Sequence, residues 1–141
     1  MPDVGALSES REDCLETIYH LVLEHKVARV KGIARRMGLH KSTVSGGLKS
    51  LAECGLVEHE SYGLVTLTPQ GEELARELVR RHEILRRFFT NLLGLDADSA
   101  GRNACQIEHA IEPEALRKLV DFMENTWPGA AAKSRDTHAC E

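Results

Sequence analysis

Lys31-Gly32-Ile33-Ala34-Arg35-Arg36-Met37-Gly38-Leu39-His40-Lys41-Ser42-Thr43-Val44-Ser45-Gly46-Gly47-Leu48-Lys49-Ser50-Leu51-Ala52-Glu53 is the stretch on which the fold turns. A short helical pattern, roughly Lys31 to Met37, stops at Gly38, and a second runs from about Lys41 to Glu53. Gly38 tolerates the positive φ of a tight turn, and the small Ala34 lets the two helices approach. Val44, Leu48 and Leu51 share one face of the second helix and would anchor it. This is the spacing of a helix-turn-helix, with Lys41, Ser42, Thr43, Ser45 and Lys49 left outward to reach phosphates and base edges. Gly46 and Gly47 sit in that same helix and cost about 1 kcal/mol each in helix propensity. They carry no side chain, so readout would lean on Lys41, Thr43, Ser45 and the shape of the duplex.

Charge points to the same partner. Residues 26–52 carry seven basic side chains (Lys26, Arg29, Lys31, Arg35, Arg36, Lys41 and Lys49) and no Asp or Glu, within a chain whose formal net charge is -4. A basic island in an otherwise acidic chain suits a polyanion, and double-stranded DNA is the expected ligand. Arg35 and Arg36 join the outward residues of the second helix as candidate DNA contacts. Farther along, Leu56 to Glu60 and Leu64 to Leu67 are β-rich runs joined by Ser61-Tyr62-Gly63, a hairpin that would form a wing, with Tyr62 at its tip as a further contact. A wing adds phosphate contacts more than specificity.

Helices flank this head. Ser10 and Asp13 have capping-box spacing, and Leu15, Ile18, Tyr19 and Val22 repeat with helical period, which predicts a helix from about Ser10 to Glu24. Thr68-Pro69 reads as an N-cap and first helical residue of a helix that persists to about Leu93, before Gly94. Its stripe is Leu74, Leu78, Leu85, Phe89 and Leu92, with His82 in the same arc and Arg80, Glu83 and Arg87 outside it. A helix holding Cys105, Glu108 and His109 follows, and a last one runs from Pro113 to about Thr126. In that last helix Leu116, Leu119, Val120 and Met123 form an apolar face suited to a subunit contact. The expected fold is mostly α, an N-terminal winged helix-turn-helix over residues 1–68 followed by an all-helical metal-binding and dimerisation domain over 69–127. Residues 128–141 read as a disordered tail.

The ligating residues have a pattern of their own. Cys105, Glu108 and His109 stand at i, i+3 and i+4, one helix face with a thiol, a carboxylate and an imidazole. His82 is another donor, and Asp13 and Glu16 form an i, i+3 carboxylate pair. Each also has a plain structural reading: Asp13 as the capping acid, Glu16 and Glu108 as solvated helix charges, His82 as a core histidine, Cys105 as a small buried hydrophobe. Four cysteines without close pairing suggest free thiols or a ligand rather than a disulfide framework. No signal-peptide pattern and no 18-residue apolar run occurs, so a cytoplasmic protein without a membrane partner is expected. No nucleophile-base pair or phosphate-cradling loop argues for an enzyme. A winged-helix regulator sensing oxidation through its thiols is the alternative, because Cys105 neighbours His109.

The phrase Glu12 to Tyr19, the helix around Lys41-Ser42-Thr43-Val44-Ser45, the join Leu67-Thr68-Pro69-Gln70-Gly71, Arg81-His82-Glu83 and Cys105 to His109 together resemble the metal-dependent repressors related to the diphtheria toxin repressor and the manganese transport regulator. The match covers residue 8 to about 125. It implies a homodimer that binds palindromic operators when loaded with a divalent transition metal, a transcriptional repressor of metal homeostasis. It also implies that the ligands are Asp13, Glu16, His82, Cys105, Glu108 and His109. Asp13 with Glu16 is similar to the manganese-sensing branch, whereas Cys105 stands where iron sensors carry Cys. Mn(II) or Fe(II) is therefore the expected cation, with Zn(II) or Co(II) able to bind in vitro. Arg86 replaces the carboxylate of the iron sensors' ancillary site, which argues against a two-site arrangement of that type. With donors on both halves of the chain, one shared cation would tie the reading head to the dimerisation half.

Overall fold

The amide of Arg11 donates to the hydroxyl of Ser8 at 3.4 Å, and this cap starts the first helix, α1, Glu9–His25. The cap thus falls two residues before the expected Ser10, because the Ser8 side chain is the one that reaches the third amide of the helix. The structure is a computed structural model that describes residues 7–60 and 63–126. Tyr62 and the tail from 128 lie outside the described residues. The chain divides into two units, Met1–Val79 and Arg80–Glu141.

In the first unit, α1 is followed by a two-residue strand, β1 (Ala28–Arg29), then α2 (Val30–Met37) and α3 (Lys41–Glu53). Gly38 ends α2 at φ 67°, and the Leu39 amide donates to Ala34 at 3.0 Å. This is the left-handed helix ending that the helix-turn-helix reading required. β2 (Val57–His59) and β3 (Leu64–Leu67) make the expected antiparallel hairpin, with Val57 opposite Leu67 and His59 opposite Val65. β1 adds a third, unexpected strand on the far edge of β3, Ala28 opposite Val65. Two residues are too few to show a period of two in sequence, and their pairing is fixed only by the distant β3.

The core of this unit gathers Leu15 and Ile18 of α1, Ile33 of α2, Val44, Leu48 and Leu51 of α3, Val65 of β3 and, from beyond the hairpin, Leu74 and Leu78, all buried. Burial of three apolar side chains at i, i+4 and i+7 on α3 fixes which face it shows to solvent. At about 25 cal/mol per Å² each such side chain contributes roughly 2 kcal/mol. Cys14 belongs to this core as well.

Thr68 joins the hairpin to α4 (Pro69–Arg87). Its hydroxyl accepts from the Gly71 amide at 3.0 Å and donates to the Gly55 carbonyl at 2.6 Å, while its own amide donates to Leu56 at 3.1 Å. Gly71 is buried, and a Cβ there would overlap the Leu56 carbonyl oxygen and stand 2.8 Å from its carbonyl carbon. The Thr-Pro-Gln-Gly phrase is thus a joint: a cap, a helix-starting proline and a residue small enough for close backbone approach.

The second unit comprises the end of α4, a π-helical turn at Phe88–Leu92, α5 (Ala97–Ala110), α6 (Pro113–Asp121) and a final π turn at Phe122–Thr126. Ile84, Leu85, Ala104, Leu116, Val120 and Met123 form its core, with Phe88, Phe89 and Leu119 packed against it. Leu116, Val120 and Met123 of the expected α6 face are thus buried within their own unit, with Leu119 partly covered. Leu92, expected in the α4 stripe, is exposed, because the π turn widens the helix by a residue and rotates it out. Arg87, expected outside the stripe, is buried with its guanidinium Nε on Glu83 at 3.3 Å.

Gly71→Ala is expected to lower the unfolding free energy by about 2 kcal/mol, since the added methyl can be housed only by moving the Leu56 backbone. Gly46 and Gly47 lie in α3 with nothing within 4 Å of an added Cβ. Gly46→Ala should thus raise stability by about 1 kcal/mol. Urea unfolding of both variants checks the opposite signs, and an unchanged midpoint for Gly71→Ala would refute the joint.

Candidate metal centre and DNA-reading head

In the second unit, α4 and α5 converge on one carboxylate. Glu108 has a side chain 3% exposed, with Oε1 accepting from the Arg81 guanidinium at 3.2 Å and Oε2 lying 3.4 Å from Nδ1 of His82. The α4 stripe turns His82 toward this point, and Leu85 of α4 and Ala104 of α5 are buried in one core. On the same helix, donor atoms of Cys105, three residues before Glu108, and His109, the residue after it, lie within 4.8 Å of each other. Both are half-buried.

The residues fit a divalent cation. A separation of 3.4 Å is long for a hydrogen bond between a carboxylate and an imidazole. It is close to the roughly 3 Å that separates two donors lying at right angles around one ion at about 2.1 Å. Within this unit the donors stand as two pairs, Glu108 with His82 and Cys105 with His109, and they are mixed in softness: a carboxylate, two imidazoles and Cys105, which can offer sulfur or its main-chain carbonyl.

Nearby charges are already matched. Arg86 makes two bonds to the Glu83 carboxylate, at 2.9 and 3.1 Å, and Arg87 makes a third. The position that the sequence comparison marked as basic is thus an ion-pair partner on α4's own surface. Arg80 pairs with Glu124 of the last turn. Arg81, by contrast, was quoted in the sequence only as the neighbour of His82, and its role on Glu108 was missed. The available signal was the need of a buried acid for a cation, with an arginine adjacent to a candidate ligand.

In the first unit, Asp13 and Glu16 are half-buried on α1, while His20 is exposed. The Asp13 carbonyl accepts from the Thr17 hydroxyl at 2.8 Å, which leaves its carboxylate out of that bond. Between them Cys14 points into the core. Burial pushes its thiol up to about 11, and the adjacent Asp13 carboxylate adds to the rise. A thiol held this far above neutrality is a poor nucleophile and a poor sensor of oxidants. Cys54 is exposed at the end of α3 and has no such environment.

Also in the first unit, Lys41, Ser42, Thr43, Ser45 and Lys49 are all exposed along α3, as is Arg35 on α2. Packing of Val44, Leu48 and Leu51 forces this display. Arg36 is exposed too but holds the Glu24 carboxylate with two bonds, at 3.0 and 3.1 Å. Among the described residues no helix is long and apolar enough to cross a membrane.

Two family models match the chain, one after the other. Residues 6–65 match the N-terminal DNA binding domain of iron dependent repressors, and residues 68–126 match their metal binding and dimerisation domain. An uncharacterised HTH-type transcriptional regulator of Methanocaldococcus jannaschii is 35% identical over 119 residues, 84% of this chain and 95% of that protein. The HTH-type transcriptional regulator MntR of Lysinibacillus sphaericus is 33% identical over 82% of each chain. Among solved structures, a manganese-dependent transcriptional repressor in complex with manganese is 35% identical with a TM-score of 0.66, covering 79% of this chain and 50% of that one. The crystal structure of T. acidophilum IdeR shares the fold, with a TM-score of 0.69 at 24% identity over 84% of this chain and 55% of the other. The chain thus spans about half the length of these two structures. Its two matched domains, in order and nearly end to end, make it a member of the iron dependent repressor family, which comprises the relatives of the diphtheria toxin repressor and the manganese transport regulator: metal-dependent, DNA-binding regulators of transcription rather than enzymes.

Proposed function

We propose that this repressor is activated by Mn(II) or Fe(II) in the cytoplasm and acts as a homodimer on palindromic operators. The observation that carries the metal reading is the buried Glu108 carboxylate with its second oxygen facing His82, on a helix that also bears Cys105 and His109. The proposed ligand set is His82, Cys105, Glu108 and His109, completed by Asp13 and Glu16. A bound divalent cation supplies the positive charge that this acidic and imidazole-rich set lacks. Oxygen and nitrogen donors favour Mn(II) or Fe(II), and a manganese-bound relative at 35% identity supports the first.

The DNA reading rests on the exposed face of α3. We assign contacts to Lys41, Ser42, Thr43, Ser45 and Lys49, with Arg35, Arg36 after release from Glu24, and, from the sequence reading alone, Tyr62. Two such heads in a symmetric dimer would engage half-sites about 34 Å apart or a multiple of that. Donors on both halves of the chain give the ligand a means to bias the DNA-competent arrangement, each tenfold preference being worth about 1.4 kcal/mol. Oxidation sensing through Cys105 beside His109 has no comparable support, since the matched family models are those of metal-binding repressors.

His109→Ala is expected to fold and dimerise but to lose Mn(II)-stimulated operator binding in a titration of metal-stripped protein followed by fluorescence anisotropy. Stimulation equal to the parent's would remove His109 from the site. Lys49→Ala should weaken binding to most sequences and reduce the slope of log affinity against log salt by about one unit. An unaltered slope would take Lys49 off the phosphate backbone.

A further inference from the structure

We propose that Arg81 is a resident counter-cation for Glu108, standing in for the metal in the empty protein and setting the concentration at which a divalent ion takes hold. This inference rests on the ligand reading above. Its starting point is exposure: the Arg81 and Glu108 side chains are 15% and 3% exposed, whereas the Lys118–Glu114 pair of the same unit is 72% and 70% exposed. A carboxylate so deeply withdrawn from water needs a compensating charge, and removing one partner of such a pair is strongly destabilising.

The geometry divides the two oxygens of Glu108. Oε1 is held by Arg81 at 3.2 Å, while Oε2 faces His82 at 3.4 Å. Arg81 therefore does not block the oxygen on the ligand side. It orders the carboxylate with Oε2 already presented and leaves Glu108 one oxygen to give. A cation on Oε2 then lies across the carboxylate from a guanidinium that cannot lose its charge. Two positive charges on one carboxylate oppose each other, so Arg81 stabilises the empty site and raises the dissociation constant of the filled one. Arg80 and Arg86 do not serve this purpose, since Glu124 and Glu83 hold their guanidinium groups. Arg81 is thus a positioning residue, one that tunes a threshold rather than touching the metal.

The test uses the full chain and Mn(II) alone as probe. Metal-stripped Arg81→Met should unfold about 10 °C lower than the parent. Its Mn(II) dissociation constant, read from the electron paramagnetic resonance signal of free Mn(II), should fall about tenfold. Arg81→Lys, which keeps the charge, should stay near the parent in both. A dissociation constant unchanged or raised in Arg81→Met overturns the proposal. Should that variant be unfolded when stripped, recovery of a cooperative transition on adding Mn(II) supports it, and failure to recover overturns it. Glu108→Gln separates the two levels: loss of Mn(II) binding upholds the ligand reading on which Arg81 is then judged, whereas binding equal to the parent's fails that reading itself.

Discussion

A carboxylate removed from water must be given a positive partner, and the second unit is arranged around that requirement. Glu108 lies on the inner side of α5, and α4 brings Arg81 and His82 to it. An apolar residue of the same volume would pack more cheaply there, since desolvating an ion pair often offsets its attraction. A buried acid that contributes little to folding is better explained by what it binds. The core of the same unit, Leu85, Ala104, Leu116 and Met123, holds α5 against α4, so that Glu108 meets Arg81 and His82.

The first unit solves a different problem with the same economy of means. DNA reading needs a rigid helix with a polar face, and α3 obtains rigidity from Val44, Leu48 and Leu51 rather than from its own propensity. Gly46 and Gly47 weaken that helix intrinsically, and tertiary packing overrides them. The glycines lie where nothing else in the chain approaches, so their smallness is not demanded by the fold. Gly71 is the contrary case, a glycine whose absence of a side chain the backbone of Leu56 requires.

Where a residue's role depends on its near neighbours along the chain, it was legible in the sequence. The helical periods of α1 and α3, the start of α4, the left-handed Gly38, the Thr68 cap and the wing hairpin are all local, and all are found where the sequence placed them to within a residue or two. Features fixed by distant partners were not legible. β1 exists because Val65 pairs with Ala28, and Gly71 is small because of Leu56. The same holds for the centre: donor types at i, i+3 and i+4 marked Cys105, Glu108 and His109, yet nothing local to α5 points to Arg81. Regular extrapolation failed at Leu92, since a 3.6-residue period cannot foresee a π turn that begins at Phe88.

A switch of this kind gains from a site that is neither empty of charge nor fully satisfied. Were the acids unpartnered, the empty protein would be destabilised by their mutual repulsion and would capture any divalent ion in the order Mn(II), Fe(II), Co(II), Ni(II), Cu(II). Were Glu108 locked on both oxygens, it could not ligate. One guanidinium on one oxygen gives the intermediate case, a folded empty state and a weakened affinity that leaves the response to metal concentration adjustable through a single neighbouring side chain. Selectivity must then come from the number and angles of the remaining donors, because a uniform electrostatic handicap lowers the affinity of every divalent ion alike.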